Sequence, residues 1–81
     1  MEIIFSDSFK KDFRKIKDKA VRLRVINHLK KLGNLPESGK PLQYDLKNHR
    51  TVRVPPFRII YRLEKGKIIV LCFDHRKDVY E

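Results

Sequence analysis

The chain has 81 residues, enough for one domain with one modest hydrophobic core and too few for a second domain. Its 20 Lys and Arg outnumber 10 Asp and Glu, and the net charge of +10 favours anionic partners such as nucleic acid, acidic proteins or anionic lipid. Cys72 is the only cysteine, which excludes an internal disulfide and a cysteine-based zinc site.

The N-terminus predicts a short strand at Glu2–Phe5 rather than a targeting segment. No cationic segment followed by a long apolar stretch is present, so we expect no signal peptide. No run approaches the roughly 20 apolar residues of a membrane span, and we expect a cytoplasmic protein.

Two helices are predicted next, joined closely enough to pack as a hairpin. Small polar residues at 6–8 offer caps for the first helix, and the second runs from about Asp18, its cap, to Leu32, with Gly33 as a stop. The apolar stripe of the first helix is Phe9, Phe13 and Ile16. The predicted buried side of the second helix is Ala20, Leu23, Ile26 (with Val25 or Asn27 beside it), Leu29 and, at the helix end, Leu32.

The rest of the chain predicts a loop followed by strands. Two prolines and a glycine mark residues 34–41 as a loop, and alternate apolar residues then suggest an extended segment over 42–46. Arg50–Val54 alternates as a strand and ends at Pro55-Pro56, which forces a turn. Two further strands, over 57–64 and 67–73, are joined by a hairpin turn at Lys65-Gly66.

This order predicts an α+β fold: a two-layer sandwich with an N-terminal strand, a helical hairpin and an antiparallel three-strand meander. If Val52, Val54 and the odd-numbered residues of 57–63 face the helices, the opposite sheet face carries several cationic residues. That set is Arg53, Arg58 and Arg62, with Thr51 beside them. Arginines crowded in this way favour a phosphate-binding cleft, because the guanidinium grips phosphate oxygens in pairs.

A plainer interpretation stays open, in which these arginines are scattered over a solvated surface and some pair with carboxylates. The candidate partners are Asp45, Glu64, Asp74 and Asp78. His28 and His49 have no partners at metal-ligand spacing, so no metal site is predicted. We also expect no cofactor, because the sequence has no glycine-rich phosphate loop and no nucleophile elbow.

Two phrases give a resemblance that covers essentially the whole chain. Arg-Val-Pro-Pro-Phe-Arg-Ile-Ile-Tyr at 53–61 and Asp-His-Arg-Lys-Asp-Val-Tyr at 74–80 resemble motifs of the RelE/ParE toxin superfamily. The resemblance implies one RelE-like domain over residues 1–81. It further implies the toxin of a type II toxin–antitoxin system, an endoribonuclease that cuts mRNA in the ribosomal A site.

In this resemblance the 2′-hydroxyl of the message attacks the adjacent phosphate without a metal ion. Arg58 would contact the phosphate, Arg53 would aid the 2′-hydroxyl or the transition state, and Arg76 would face the developing charge. Tyr80 would stack on a base and assist proton transfer, and His75 would act as general acid or base. Further RNA contacts are expected from Arg50, Thr51, Arg62 and Lys77. The implied partners are an antitoxin that wraps the toxin, the ribosome and mRNA.

The sequence departs from the family pattern at two places. Thr51 stands where many relatives have a basic residue, and Pro55-Pro56 replaces a turn that usually contains glycine. Two other functions therefore stay open: a ParE-like poison of DNA gyrase, and a basic RNA-binding relative with weak or no catalysis.

Overall fold

The computed structural model describes residues 2–41 and 48–74, except for the side chain of Asp74. Within these ranges the chain forms five strands and two helices, one short strand more than the sequence predicts. The elements are β1 (Glu2–Phe5), α1 (Asp7–Arg14), α2 (Lys19–Asn34), β2 (Lys40–Pro41), β3 (His49–Val54), β4 (Phe57–Glu64) and β5 (Lys67–Asp74). The predicted α+β class is confirmed. The predicted extended segment over 42–46 lies outside the described residues.

Ser6 both begins α1 and ties it to the sheet. Its Oγ accepts a hydrogen bond from the backbone N–H of Phe9 at 3.0 Å, which satisfies one of the free amides at the helix start. The same hydroxyl donates to the carbonyl of Leu71, and the backbone N–H of Ser6 donates to the carbonyl of Val70 at 3.0 Å. The cap therefore fixes where α1 leaves the sheet.

The predicted cap of α2 is confirmed, and its predicted end is wrong by two residues. Asp18 Oδ1 accepts from the backbone N–H of Ala20 at 2.8 Å. The helix continues through Gly33 to Asn34, and the N–H of Leu35 still donates to the carbonyl of Lys31 at 2.8 Å. Glycine is tolerated inside the helix here.

The predicted buried side of α2 is partly wrong. Val25 and Leu32, two helical turns apart, are the buried residues, and Leu29 is half-buried as predicted. Three residues predicted to be buried are exposed: Ala20, Leu23 and Ile26. The sequence of α2 offers two overlapping apolar stripes, and packing against the sheet selects the one that contains Val25.

The sheet is mixed, with strand order β1-β5-β4-β3-β2. β1 runs parallel to β5, while the β5-β4, β4-β3 and β3-β2 pairs are antiparallel. The register between β4 and β5 shifts between the pairs Ile60–Cys72 and Tyr61–Val70, so Leu71 is an extra residue in β5. This bulge lets Phe73 and Val70 both contact the core.

The core lies between the helices and one face of the sheet. It consists of Phe9, Ile16, Val25, Leu32, Val54, Ile59, Tyr61, Ile68 and Val70. The prediction that Ile59 and Tyr61 face the helices is confirmed, because both are fully buried. No helix within the described ranges is long and apolar enough to cross a bilayer.

Candidate anion-binding face

The sheet face that points away from the helices is defined here as the open face. In β4, Ile59 and Tyr61 are buried under the helices, so alternation turns Arg58, Ile60 and Arg62 to the other side. Residues directly opposite each other in a ladder share a face. The β3 residues on the open face are therefore Arg53, Thr51 and His49, paired with Arg58, Ile60 and Arg62 respectively.

Arg53 and Arg58 lie directly opposite each other in the ladder. Side chains in such a pair have Cβ atoms about 4.5–5.5 Å apart, and like charges at that spacing destabilise the sheet. Arg53 is exposed and Arg58 is half-buried. On its other side, Arg58 pairs with Asp74, the last residue of β5. Two arginines that lie opposite each other in a ladder favour an anion that both guanidinium groups can reach.

Arg62 lies on the open face with a carboxylate partner of its own. Its Nη2 is 2.7 Å from Glu64 Oε2, and the two side chains are 37% and 46% exposed. A pair this exposed contributes little to stability, but it balances the charge of Arg62 locally. The plainer interpretation of the arginines as paired surface residues thus holds at Arg62.

Arg50 does not share the open face. It pairs with Tyr61 across the ladder and so lies on the helical side of the sheet. Its Nη1 donates to the carbonyl of Gly39 at 2.8 Å and to that of Glu37 at 3.3 Å. The structure therefore separates Arg50 from the other predicted RNA contacts and gives its guanidinium backbone partners.

Tyr61 holds the same segment as Arg50. Its hydroxyl donates to the carbonyl of Pro36 at 2.8 Å and accepts from the backbone N–H of Gly39 at 3.0 Å. Burial raises the pKa of the Tyr61 phenol above its usual value, because the anion would be poorly solvated there. The phenol therefore stays protonated at neutral pH and keeps its donor.

Thr51 lies on the open face as predicted, and it has a cationic neighbour that sequence reasoning missed. Its Oγ1 is buried without a hydrogen-bond partner among the described residues. Lys40 lies opposite Thr51 in the β2-β3 ladder and is exposed. Because the prolines and glycine of 34–41 predict a loop, no periodicity in the sequence places Lys40 on a strand.

The C-terminal members of the predicted site lie outside the described residues: His75, Arg76, Lys77 and Tyr80. Their roles stay predictions. Within residues 2–41 and 48–74, no three His, Cys, Asp or Glu side chains are grouped closely enough to hold a metal ion.

The helical side carries a second surface, an apolar groove of about 410 Å³ between α1 and α2. Its floor is rigid, because the Phe9 ring stacks on those of Phe5 and Phe13 at centroid distances of 5.3 and 6.1 Å. Ile26 is 38% exposed at this groove. The lining residues are Phe5, Phe9, Lys10, Phe13, Arg14, Ile26 and Leu29.

Comparison with known proteins identifies the family and the fold. A family model described as the ParE toxin of the type II toxin–antitoxin system parDE matches residues 3–80. No curated protein sequence matches the chain.

Solved structures share the fold. A YoeB/ParE toxin from Agrobacterium tumefaciens superposes with a TM-score of 0.80 at 17% identity, covering 95% of this chain and 100% of that one. The RelBE2 toxin–antitoxin complex from Mycobacterium tuberculosis gives 0.78 at 24% identity, with 93% and 96% covered. The chromosomal ParDE system from Pseudomonas aeruginosa gives 0.75 at 18% identity, with 95% and 97% covered.

Proposed function

The chain belongs to the family of ParE toxins of type II toxin–antitoxin systems, and we propose that it is an endoribonuclease that cleaves mRNA on the ribosome. The observation that carries the proposal is the cross-strand pair of Arg53 and Arg58 on the open face. Two adjacent guanidinium groups form a site for one phosphate with up to four oriented N–H donors, roughly two from each fork.

The reaction needs charge stabilisation more than covalent help from the protein. The 2′-oxygen of one nucleotide forms a bond to the adjacent phosphorus, and the bond from phosphorus to the 5′-oxygen of the next nucleotide breaks. Negative charge accumulates on the non-bridging oxygens in the transition state, where donors already in place are most effective. Arg53 and Arg58 supply those donors, and alignment of the message on the ribosome supplies the in-line geometry.

Proton transfer falls to other groups, because a guanidinium stays protonated at all physiological pH values. His75 and Tyr80 are the residues proposed for this step, with His75 as general acid or base and Tyr80 stacked on a base. Arg76 is proposed to face the leaving oxygen. All three follow directly after β5, which pairs with Arg58 at its last residue.

The test is brief induction of the toxin in cells, followed by mapping of transcript 5′ ends. We expect cuts at codons in the A site, and we expect Arg58→Ala to abolish them while the variant keeps its cooperative unfolding. Lys31→Ala removes the same charge from an exposed position on α2 and serves as the control. Cleavage by Arg58→Ala at the native rate would overturn the proposal.

A second function is kept because the matching family model is that of ParE. In the ParE-like alternative the toxin poisons DNA gyrase and leaves RNA intact. The same induction separates the two functions, because DNA damage with uncut transcripts would favour the gyrase poison. The absence of both effects would favour a basic RNA-binding relative without catalysis.

We also propose an antitoxin partner that occupies the groove between α1 and α2. The similar M. tuberculosis protein was solved in a toxin–antitoxin complex. The groove joins an aromatic floor to the cationic side chains Lys10 and Arg14. An amphipathic segment that places apolar residues against the floor and carboxylates beside these cations fits this groove. We expect that segment to fold as it binds.

A further inference from the structure

The edge strand β2 brings one more cation to the open face. β2 has only two residues, and its Lys40 pairs with Thr51 while Pro41 pairs with Arg50. Because Thr51 lies on the open face, Lys40 lies there too. Thr51 and Arg53 are two positions apart, or about 7 Å along β3. Lys40 therefore lies on the strand next to β3, two residue positions along the sheet from Arg53.

The backbone just before Lys40 is held from the opposite face of the sheet. We define the latch as the hydrogen bonds from Arg50 and Tyr61 to residues 36–39. They include the Tyr61 hydroxyl to the Pro36 carbonyl at 2.8 Å, the Gly39 N–H to the Tyr61 hydroxyl at 3.0 Å, and Arg50 Nη1 to the Gly39 carbonyl at 2.8 Å. The backbone N–H and the carbonyl of Gly39 are thus both hydrogen-bonded.

The latch requires glycine at position 39. A Cβ on Gly39 would lie 2.5 Å from the Tyr61 hydroxyl oxygen and 2.8 Å from the Thr51 carbonyl oxygen. The second atom belongs to the backbone of β3, so it yields only if the sheet edge moves. An exposed strand of two residues is thus held by a buried tyrosine, an arginine bonded to backbone carbonyls and a close-packed glycine. These contacts fix the position of the Lys40 backbone at the edge of the open face.

We propose that Lys40 is an additional RNA-binding residue, whose ammonium binds a backbone phosphate next to the one held by Arg53 and Arg58. Arg50 and Tyr61 are positioning residues that act through the latch. The inference rests on the proposed endoribonuclease function and deepens it. A lysine suits a flanking phosphate, because its ammonium is a single mobile charge and does not need the two-pronged geometry required at the reacting phosphate.

The first experiment measures binding and single-turnover cleavage of a defined message on programmed ribosomes over a series of KCl concentrations. We expect Lys40→Met to weaken binding several-fold and to lower the slope of log affinity against log salt by about 0.7–1, because one phosphate contact is lost. The rate of the chemical step should change little. Lys40→Arg should restore both values, and Lys31→Met on α2 is the charge-matched control.

The outcomes are distinct. If the native toxin cleaves and Lys40→Met behaves as Lys31→Met does, the assignment of Lys40 is wrong and the proposed function stands. If the native toxin does not cleave, or if Arg58→Ala cleaves equally well, the proposed function fails and the role of Lys40 in it fails too.

The second experiment tests the latch. Gly39→Ala should lower the salt slope as Lys40→Met does, and adding Lys40→Met to it should produce no further change. Gly33→Ala is the control, because its Cβ would meet only Ile3 Cδ1 at 3.4 Å. If Gly39→Ala does not fold, Tyr61→Phe removes two latch hydrogen bonds at nearly constant shape and takes its place. Additive losses in the double variant would overturn the positioning role.

Discussion

The open face and the groove between the helices lie on opposite sides of one small sheet, and they are built from different chemistry. The character of the open face comes from strand-borne cations such as Arg53, Arg58 and Lys40. The groove is concave and apolar, with two cations among its lining residues. We expect the open face to bind an anionic polymer with an affinity that falls steeply as salt increases. We expect the groove to bind an apolar surface with an affinity that depends less on salt. In the proposed function, mRNA and the antitoxin therefore bind to different surfaces of the toxin.

The open face itself has two unlike ends. At one end, Arg53 and Arg58 face each other in the ladder. At the other, the Arg62 guanidinium lies 2.7 Å from the Glu64 carboxylate. Arginine on the open face is thus not sufficient for anion binding. The end where Arg53 and Arg58 are opposed brings two cations together and is the one proposed to bind the anion.

The largest expected effect tests whether the arginine pair acts as one unit. Arg53→Ala and Arg58→Ala should each slow single-turnover cleavage about 100-fold or more, comparable to loss of an oxyanion donor at about 2.7–4 kcal/mol. The double variant should lose less than the sum of the two free energies, because both side chains grip the same phosphate. Strict additivity would mean that the two arginines contact separate groups.

A smaller effect tests whether the groove belongs to the antitoxin. Ile26→Asp should weaken antitoxin binding by about 2 kcal/mol, or roughly 30-fold, because it places a carboxylate in an apolar contact. Cleavage by the free toxin should not change. Leu23→Asp is the matched control, since Leu23 is on the same helix, is 58% exposed and does not line the groove. Titration calorimetry with purified antitoxin measures both, and equal losses would place the antitoxin elsewhere.

The smallest effect concerns the stability that Tyr61 contributes through the latch, and how that stability depends on pH. Tyr61→Phe should lower the free energy of unfolding by about 1–3 kcal/mol at pH 7, because the Gly39 N–H and the Pro36 carbonyl lose their partner.

The sign of the pH effect follows from burial, which raises the pKa of the Tyr61 phenol in the folded state. The folded protein then keeps this proton to a higher pH than the unfolded chain, whose phenol titrates near about 10. The stability that Tyr61 contributes is present below that value and is lost as the pH rises through the folded pKa. Urea unfolding at pH 9 to 11 should show a steeper decline for the native protein than for Tyr61→Phe. Equal declines would contradict the raised pKa.

Strand alternation was enough to predict the open face. A period of two leaves no choice once Ile59 and Tyr61 are known to be apolar, so Arg58 and Arg62 must share the other side, and the structure agrees. The same rule applied to β3 places Arg53 and Thr51 correctly. Alternation also puts Arg50 on the other face of β3 from Arg53 and Thr51. It does not predict the carbonyl partners of Arg50, because residues 37 and 39 are distant in sequence.

Helical periodicity was less decisive, because a period near 3.6 allows adjacent stripes to overlap on a helix rich in apolar residues. α2 therefore buries Val25 and exposes Ile26, a choice that only packing against the sheet makes.

By itself the sequence determined the fold class, the positive charge, the cap Asp18, a cap for α1 among residues 6–8, and the side of the sheet on which Arg53, Arg58 and Arg62 lie. These depend on neighbours within a few residues. Tertiary structure alone decided that Lys40 joins the open face and that the latch uses Arg50 and Tyr61. The edge pairing and the latch join residues 9 to 25 positions apart. Contacts between such residues depend on where folding brings the elements, and local periodicity carries no signal for that.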